Sequence, residues 1–354
     1  PPIKEQPRSE TPYLTLLDEY IIAYNTYVDS TWVGGLSGID KVGSEYVIIC
    51  DDAGRYQSPR YYTASISFIG KSIDSIMFNG VNFFQDENEA VYKNIRAADN
   101  SYVDPESIRV DDDILYWCSE GFRDLRNFDP TILASFQDGK HMKTYVTDTK
   151  FSTVNDNIGP RHNASFEGLT LDKNDQHLWV SIESPLLQDG DPPSATSNGA
   201  PIRISKINRT NGEVAFEFGY QLEPIFAVPD SGAFAMNGAV EILWLGEGQL
   251  LVLERSYVAG VGNRVQLYRA DYDQATDINT LTSLLSEQPV LASKTLLLDF
   301  GDLPVERIDN LEGICWGPVL PNGNRSLILV ADNNFSDSQI NQVLWLEVNK
   351  SLTD

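Results

Sequence analysis

One layout recurs five times along the chain and restricts its fold more than any other feature. A small or acidic residue heads an alternating strand, a turn follows, and an apolar strand ends on an acid. The copies are GGLSGIDKVGSEYVIICDD (34–52), DPESIRVDDDILYWCSE (104–120), FEGLTLDKNDQHLWVSIE (166–183), NGAVEILWLGEGQLLVLER (237–255) and NLEGICWGPVLPNGNRSLILVADN (310–333). Their centres, Val42 to Glu45, Asp111 to Asp113, Lys173 to Gln176, Gly246 to Gln249 and Pro321 to Asn324, read as turns. Positions equidistant from a hairpin turn face each other across an antiparallel ladder. This spacing sets Ser37 beside Asp52, Glu106 beside Glu120, Glu167 beside Glu183, Glu241 beside Glu254 and Glu312 beside Asp332. The heads lie 69, 61, 74 and 71 residues apart. A period of that length, made of short strands without a helical pattern, describes a propeller blade carrying insertions.

The expectation is an all-β protein, a β-propeller with five motif-bearing blades. A sixth blade is the alternative, hidden in the long intervals or closed by the terminal segments LLDEYIIAY and QVLWLEVN. Residues 1–12, polar and proline-rich, read as a flexible tail, and 13–354 as a single propeller domain. The start Pro1-Pro2-Ile3 suggests a mature, exported chain, extracellular or periplasmic. With 51 acids against 26 bases the formal charge is −25, which repels nucleic acid and anionic membranes. No stretch reaches the roughly 18 consecutive apolar residues of a membrane helix, and a monomer is expected. Cys50, Cys118 and Cys315 lie in apolar strands without metal-site spacing and read as core residues, with Cys50 and Cys118 at equivalent packing positions.

Blades repeat around an axis, so like positions form a ring at one channel mouth. The acids Asp52, Glu106, Glu120, Glu167, Glu183, Glu241, Glu254, Glu312 and Asp332 are therefore candidate metal ligands. Converging carboxylates raise one another's pKa, and calcium, which takes about six to eight oxygen ligands in loose geometry, resolves the conflict. Asn163, Asn310 and Asn333 are candidate extra donors. The competing reading is structural: the acids cap strand ends or pair with Arg55, Arg123 and Arg255. Candidate catalytic residues are Glu167 as general base, His162, and Arg55 and Arg255 as clamps on an anionic ester, with Arg60 and Arg123 as further clamps. Ser37 lacks the setting of a nucleophile elbow. The loops after Glu120 and Glu183 are expected to roof the mouth, and Tyr56, Tyr61, Tyr62 and Phe122 to give the roof an apolar side.

The succession GGLSGID, CDDAGRYQSPRYYT, DPESI, CSEG, FEGLTLD, SIESPL, VLERS, NLEGICWGP and VADNNFSDSQINQ, from Gly34 to Gln342, resembles the bacterial phytase-like domain family with esterase-like activity of phytase. That resemblance implies an exported propeller hydrolysing phosphoesters or related esters. The function expected is thus a calcium-dependent hydrolase of a small anionic ester or phosphoester. The alternatives are a non-catalytic ligand- or protein-binding propeller with structural calcium, and a sugar-lactone hydrolase using one channel metal.

Overall fold

A computed structural model describes residues 12–93, 102–123, 127–145, 148–172, 176–349 and 352. The expected tail, apart from Pro12, and the turn Lys173 to Gln176, apart from Gln176, lie outside the described residues. Five four-stranded antiparallel sheets radiate from one axis, forming a five-bladed propeller. Blade 1 comprises Leu36–Val42, Glu45–Cys50, Arg60–Ile69 and Ser72–Phe83. Blade 2 comprises Pro105–Asp111, Ile114–Ser119, Thr131–Phe136 and His141–Tyr145. Blade 3 comprises Phe166–Asp172, His177–Ile182, Ile202–Asn208 and Val214–Tyr220. Blade 4 comprises Ala235–Gly246, Gln249–Val258, Gly262–Asp271 and Ser293–Asp299. Blade 5 takes Leu311–Trp316, Ser326–Ala331 and Asn341–Val348 from the C-terminal end, and its outermost strand, Leu14–Ile22, from the N-terminal end. The two terminal segments do pair, Leu14 with Val348 through Ile22 with Asn341. Their pairing completes the fifth blade, and the described residues form no sixth.

The innermost strand of each blade touches those of both neighbours, closing the ring. Each blade is packed on both faces, so the second strands bury alternate residues in opposite directions and read as continuous apolar runs. Val47 and Ile49 pack towards blade 2, while Tyr46, Ile48 and Cys50 pack towards blade 5. Cys118 faces blade 3, so it packs towards the following blade and Cys50 towards the preceding one. The two cysteines are therefore not equivalent, contrary to expectation, although all three are buried and free.

Every innermost strand carries a bulge where it passes the channel mouth. Pairing is interrupted between Leu36 and Gly38, Pro105 and Ile108, Phe166 and Leu169, Ala239 and Glu241, and Leu311 and Gly313. The residues on the bulges are Ser37, Glu106, Glu167, Val240 and Glu312. A bulge adds local twist and re-aims a side chain, here at the channel mouth. Glycine follows the bulge residue in three blades because neighbouring backbones pass so close there. A Cβ on Gly168 would lie 2.7 Å from the Ile242 nitrogen, and one on Gly313 would lie 3.0 Å from the Gly38 Cα. In blades 2 and 4 the position is held by Ser107 and Glu241, and these two side chains meet each other inside the channel, with Ser107 Oγ donating to Glu241 Oε2 at 2.8 Å.

Candidate active site

The bulges define which residues are equivalent. Two residues before each one stand Gly35, Asp104, Ser165, Gly238 and Asn310. The residues facing these across the ladder are Asp51, Glu120, Glu183, Arg255 and Asp332, fixed by backbone bonds such as Glu120 N–H to Asp104 O at 3.0 Å and Glu183 N–H to Ser165 O at 2.7 Å. The mouth is thus ringed by Asp51, Asp104, Glu106, Glu120, Glu167, Glu183, Glu312 and Asp332, with Arg255 at the place blade 4 would give an acid. Above them opens a cavity of about 1000 Å³.

Two carboxylate triads share one member. Oxygens of Asp51, Asp104 and Glu106 lie within 4.8 Å of one another, and so do oxygens of Glu106, Glu120 and Glu167. Few donors serve these groups. Glu120 accepts from the Ser165 N–H at 3.0 Å, and Asp104 Oδ2 from the Tyr102 hydroxyl at 2.9 Å. Among the described residues Asp104 Oδ1 is buried without a donor. On the far side, Arg255 Nη2 lies 3.5 Å from Glu183 and 3.4 Å from Glu312, and Asn310 donates to Glu312 at 3.0 Å.

The electrostatics follow from that arrangement. Burial, reinforced by neighbouring negative charge, pushes Asp51, Glu106, Glu120 and Glu167 well above the usual carboxylate range. Burial also raises Glu183 to about 7, with Arg255 pulling the other way. Asp332 rises to about 8 through burial and the nearby Glu312. For Arg255 burial works against the charge but is outweighed by Glu312 and Glu183, which raise its pKa. Each of these carboxyls therefore gives up its proton less readily than a free carboxylic acid.

Glu106, Glu120, Glu167, Glu183, Glu312 and Asp332 come together as the repeat implied, and His162, Arg55 and Arg255 line the same cavity. The His162 ring stands edge-on to Phe122 with centroids 4.9 Å apart. Three of the expected ligands lie elsewhere. Asp52 is buried against Arg60 Nη1 at 2.8 Å and accepts the backbone N–H groups of Arg55 and Gln57. Glu241 is fully buried beneath the mouth, 2.9 Å from Arg109 Nη2, and accepts the Leu169 N–H at 2.9 Å. Glu254 holds Lys294 Nζ at 2.8 Å and the Tyr220 hydroxyl at 2.8 Å. In blade 4 the motif is displaced by one residue, so the true counterparts are Val240 and Arg255; in blade 1 the counterpart is Asp51.

The heads and tails are not ladder partners, because Ser37, Glu106, Glu167 and Glu312 sit on bulges and Glu241 pairs with Leu253 instead of Glu254. Arg60 is occupied by Asp52, and Arg123 donates to the carbonyls of Pro160 and Asn155 at 2.6 and 2.8 Å, so neither faces the mouth. Asn333 Oδ1 accepts the Phe335 N–H at 3.1 Å as part of a loop. The loops after Glu120 and Glu183 do not line the cavity among the described residues; Phe234, Met236 and Tyr257 of blade 4, with Arg307 to Asp309, do. Tyr61 and Tyr62 are buried between blades. Asp51 and Asp104 were the members not anticipated. The doubled acid in CDDAG hid the first, and the acid two residues before Glu106, matched by Asn310 before Glu312, was the available signal for the second.

A closed ring of five blades with carboxylates gathered at one mouth defines a five-bladed β-propeller with a candidate site at that mouth. The chain is similar, at low identity, to solved structures. Xylan β-1,4-xylosidase from Bacillus halodurans C-125 is 10% identical, over 89% of this chain and 53% of that one, with a TM-score of 0.50. Endo-arabinase from Bacteroides thetaiotaomicron VPI-5482 is 14% identical over 91% of this chain and 96% of that one, with a TM-score of 0.46. This chain thus spans about half of the xylosidase and nearly all of the arabinase. Comparison with curated proteins gives no match. Residues 31–335 match the phytase-like family, described as "Esterase-like activity of phytase", and the chain belongs to that family.

Proposed function

We propose that the protein is a calcium-dependent hydrolase of phosphoesters or related esters, acting at the acidic mouth. The observation that carries this reading is the pair of carboxylate triads sharing Glu106, with the buried Asp104 Oδ1 lacking a donor among the described residues. An all-oxygen donor set on several strands suits calcium, which tolerates irregular geometry, better than zinc, which favours nitrogen and sulfur. Asp51, Asp104, Glu106, Glu120 and Glu167 would hold it. Bound there, calcium would polarise an anionic ester and lower the pKa of water.

The remaining work falls to the chain itself. Glu167, at the edge of the second triad and open to the cavity, would accept a proton from the attacking water. Arg255, held in place by Glu183 and Glu312, and Arg55 would orient the ester oxygens. His162, steadied against Phe122, would protonate the leaving oxygen. Filling of such a site suits an exported protein, since extracellular calcium sites work at roughly 10⁻⁴–10⁻³ M.

The test is calcium content and thermal midpoint before and after chelation, with 4-nitrophenyl phosphate and 4-nitrophenyl acetate turnover followed as calcium is restored. The expected result is a midpoint and an activity that fall and recover together. An unchanged midpoint would remove the calcium site, and recovery of the midpoint with neither ester turned over would leave a calcium-stabilised binding propeller.

A further inference from the structure

We propose, building on the hydrolase reading, that the substrate is an ester carrying one phosphate or carboxyl group on an apolar ring, and that the ring lies on a wall raised by blade 4. In blades 1, 2, 3 and 5 the innermost strand starts at Leu36, Pro105, Phe166 or Leu311, level with the mouth. In blade 4 the counterpart is Ala239, and the strand starts four residues earlier. The pairs Ala235–Val258, Met236–Tyr257, Asn237–Ser256 and Gly238–Arg255 continue the hairpin outward. At roughly 3.4 Å per residue the extension adds about 14 Å of strand.

The wall is apolar where it borders the cavity. Phe234 is 63% exposed and Val261 62% exposed, and the Phe234 and Tyr257 rings stand 6.2 Å apart. Apolar groups left in water beside a charged floor mark the place of a ligand with one apolar and one polar end. A cavity of about 1000 Å³ has room for both ends.

Charge sets the upper limit on the polar end. Eight acids and three arginines line the cavity. Two of those arginines already hold acids, Arg255 with Glu183 and Glu312, and Arg307 with Asp309 at 3.2 Å. Two divalent cations added to the three arginines would still not outnumber the acids. Each phosphate brings about −1.5 to −2 at pH 7. One such group adds little to that balance, whereas a ring carrying six brings roughly −9 to −12 to a floor with no positive charge to spare.

The test is calorimetric titration of the calcium-loaded protein, at fixed free calcium, with 1-naphthyl phosphate, methyl phosphate and myo-inositol hexakisphosphate. The expected order is naphthyl phosphate tightest and the hexakisphosphate at least tenfold weaker. Phe234→Ala and Tyr257→Ala should each weaken naphthyl phosphate about tenfold, the scale of one lost aromatic contact, and leave methyl phosphate unchanged. Phe234 is largely exposed, so its replacement should leave the thermal midpoint in place. Tighter binding of the hexakisphosphate, no binding of naphthyl phosphate, or indifference to both substitutions would overturn the proposal. Turnover measured in parallel separates the two readings. Binding in the expected order without hydrolysis sinks the hydrolase and leaves the wall, while preferred hydrolysis of the hexakisphosphate sinks the wall and leaves the hydrolase.

Discussion

Replacing Glu106 with glutamine should have opposite effects with and without calcium. Glu106 belongs to both triads, with partner oxygens within 4.8 Å. At that separation and an effective dielectric of about 20, each like-charge pair costs about 3 kcal/mol when both members are ionised. Proton uptake relieves part of this, so in chelator Glu106→Gln should stabilise the fold by roughly 1–3 kcal/mol, or a few degrees of thermal midpoint. In calcium the same substitution removes an oxygen shared by both triads. Loss of about 100-fold in affinity would remove about 2–3 kcal/mol of ligand-linked stability, by the logarithmic dependence on ligand over Kd. The assay is differential scanning calorimetry of both proteins in chelator and in millimolar calcium at pH 8. A variant that melts lower by the same amount in both buffers would refute the reasoning, since it would make Glu106 an ordinary hydrogen-bonded core residue.

Other outcomes follow from the same geometry. Glu183, at about 7, and Asp332, at about 8, are raised above ordinary carboxylates, so the folded state binds protons more tightly than the unfolded one. The chelated protein should therefore lose stability as pH rises from about 4 to 8 and level off above; a midpoint that climbs over that interval contradicts this. Asp52→Asn should destabilise by about 3–5 kcal/mol, because Arg60 is left buried without its partner, yet leave calcium-induced stabilisation intact. Asp51→Asn should do the reverse, and calcium titrations of the two variants distinguish them. Arg255→Met should lower kcat/KM for a phosphomonoester at least tenfold while calcium still raises the midpoint; unaltered kinetics would remove Arg255 from the reaction.

The repeat was legible because the propeller imposes the same requirement on each blade: an apolar second strand buried on both faces and a polar residue at its mouth end. LYWC, LWVS and LLVL carry that pattern without help from the rest of the fold. The registration of individual acids was not legible. A bulge shifts the pleat by one residue, and neither the run AVEI nor LERS signals whether Val240 or Glu241, Glu254 or Arg255, turns towards the mouth. The deciding contacts are with Ser107, Arg109, Tyr220 and Lys294 on distant segments. In CDDAG, Arg60 claims the second aspartate and leaves the first to the cavity. The count of five blades rested likewise on a long-range choice, whether the terminal strands complete an existing sheet or build a new one.

That closure bears on how the molecule is made. The outer strand Leu14–Ile22 waits for Asn341–Val348, and the side-chain bond from Gln342 Nε2 to Glu19 Oε1 spans 323 residues of sequence. Contacts so remote are formed late and slowly, since chain-closure entropy must be met before they form. The acids at the mouth come from four blades: blades 1 to 3 supply both triads, and the closing blade adds Glu312 and Asp332. The blade that closes the ring thereby brings in Glu312, whose charge raises Asp51, Glu120 and Glu167 further.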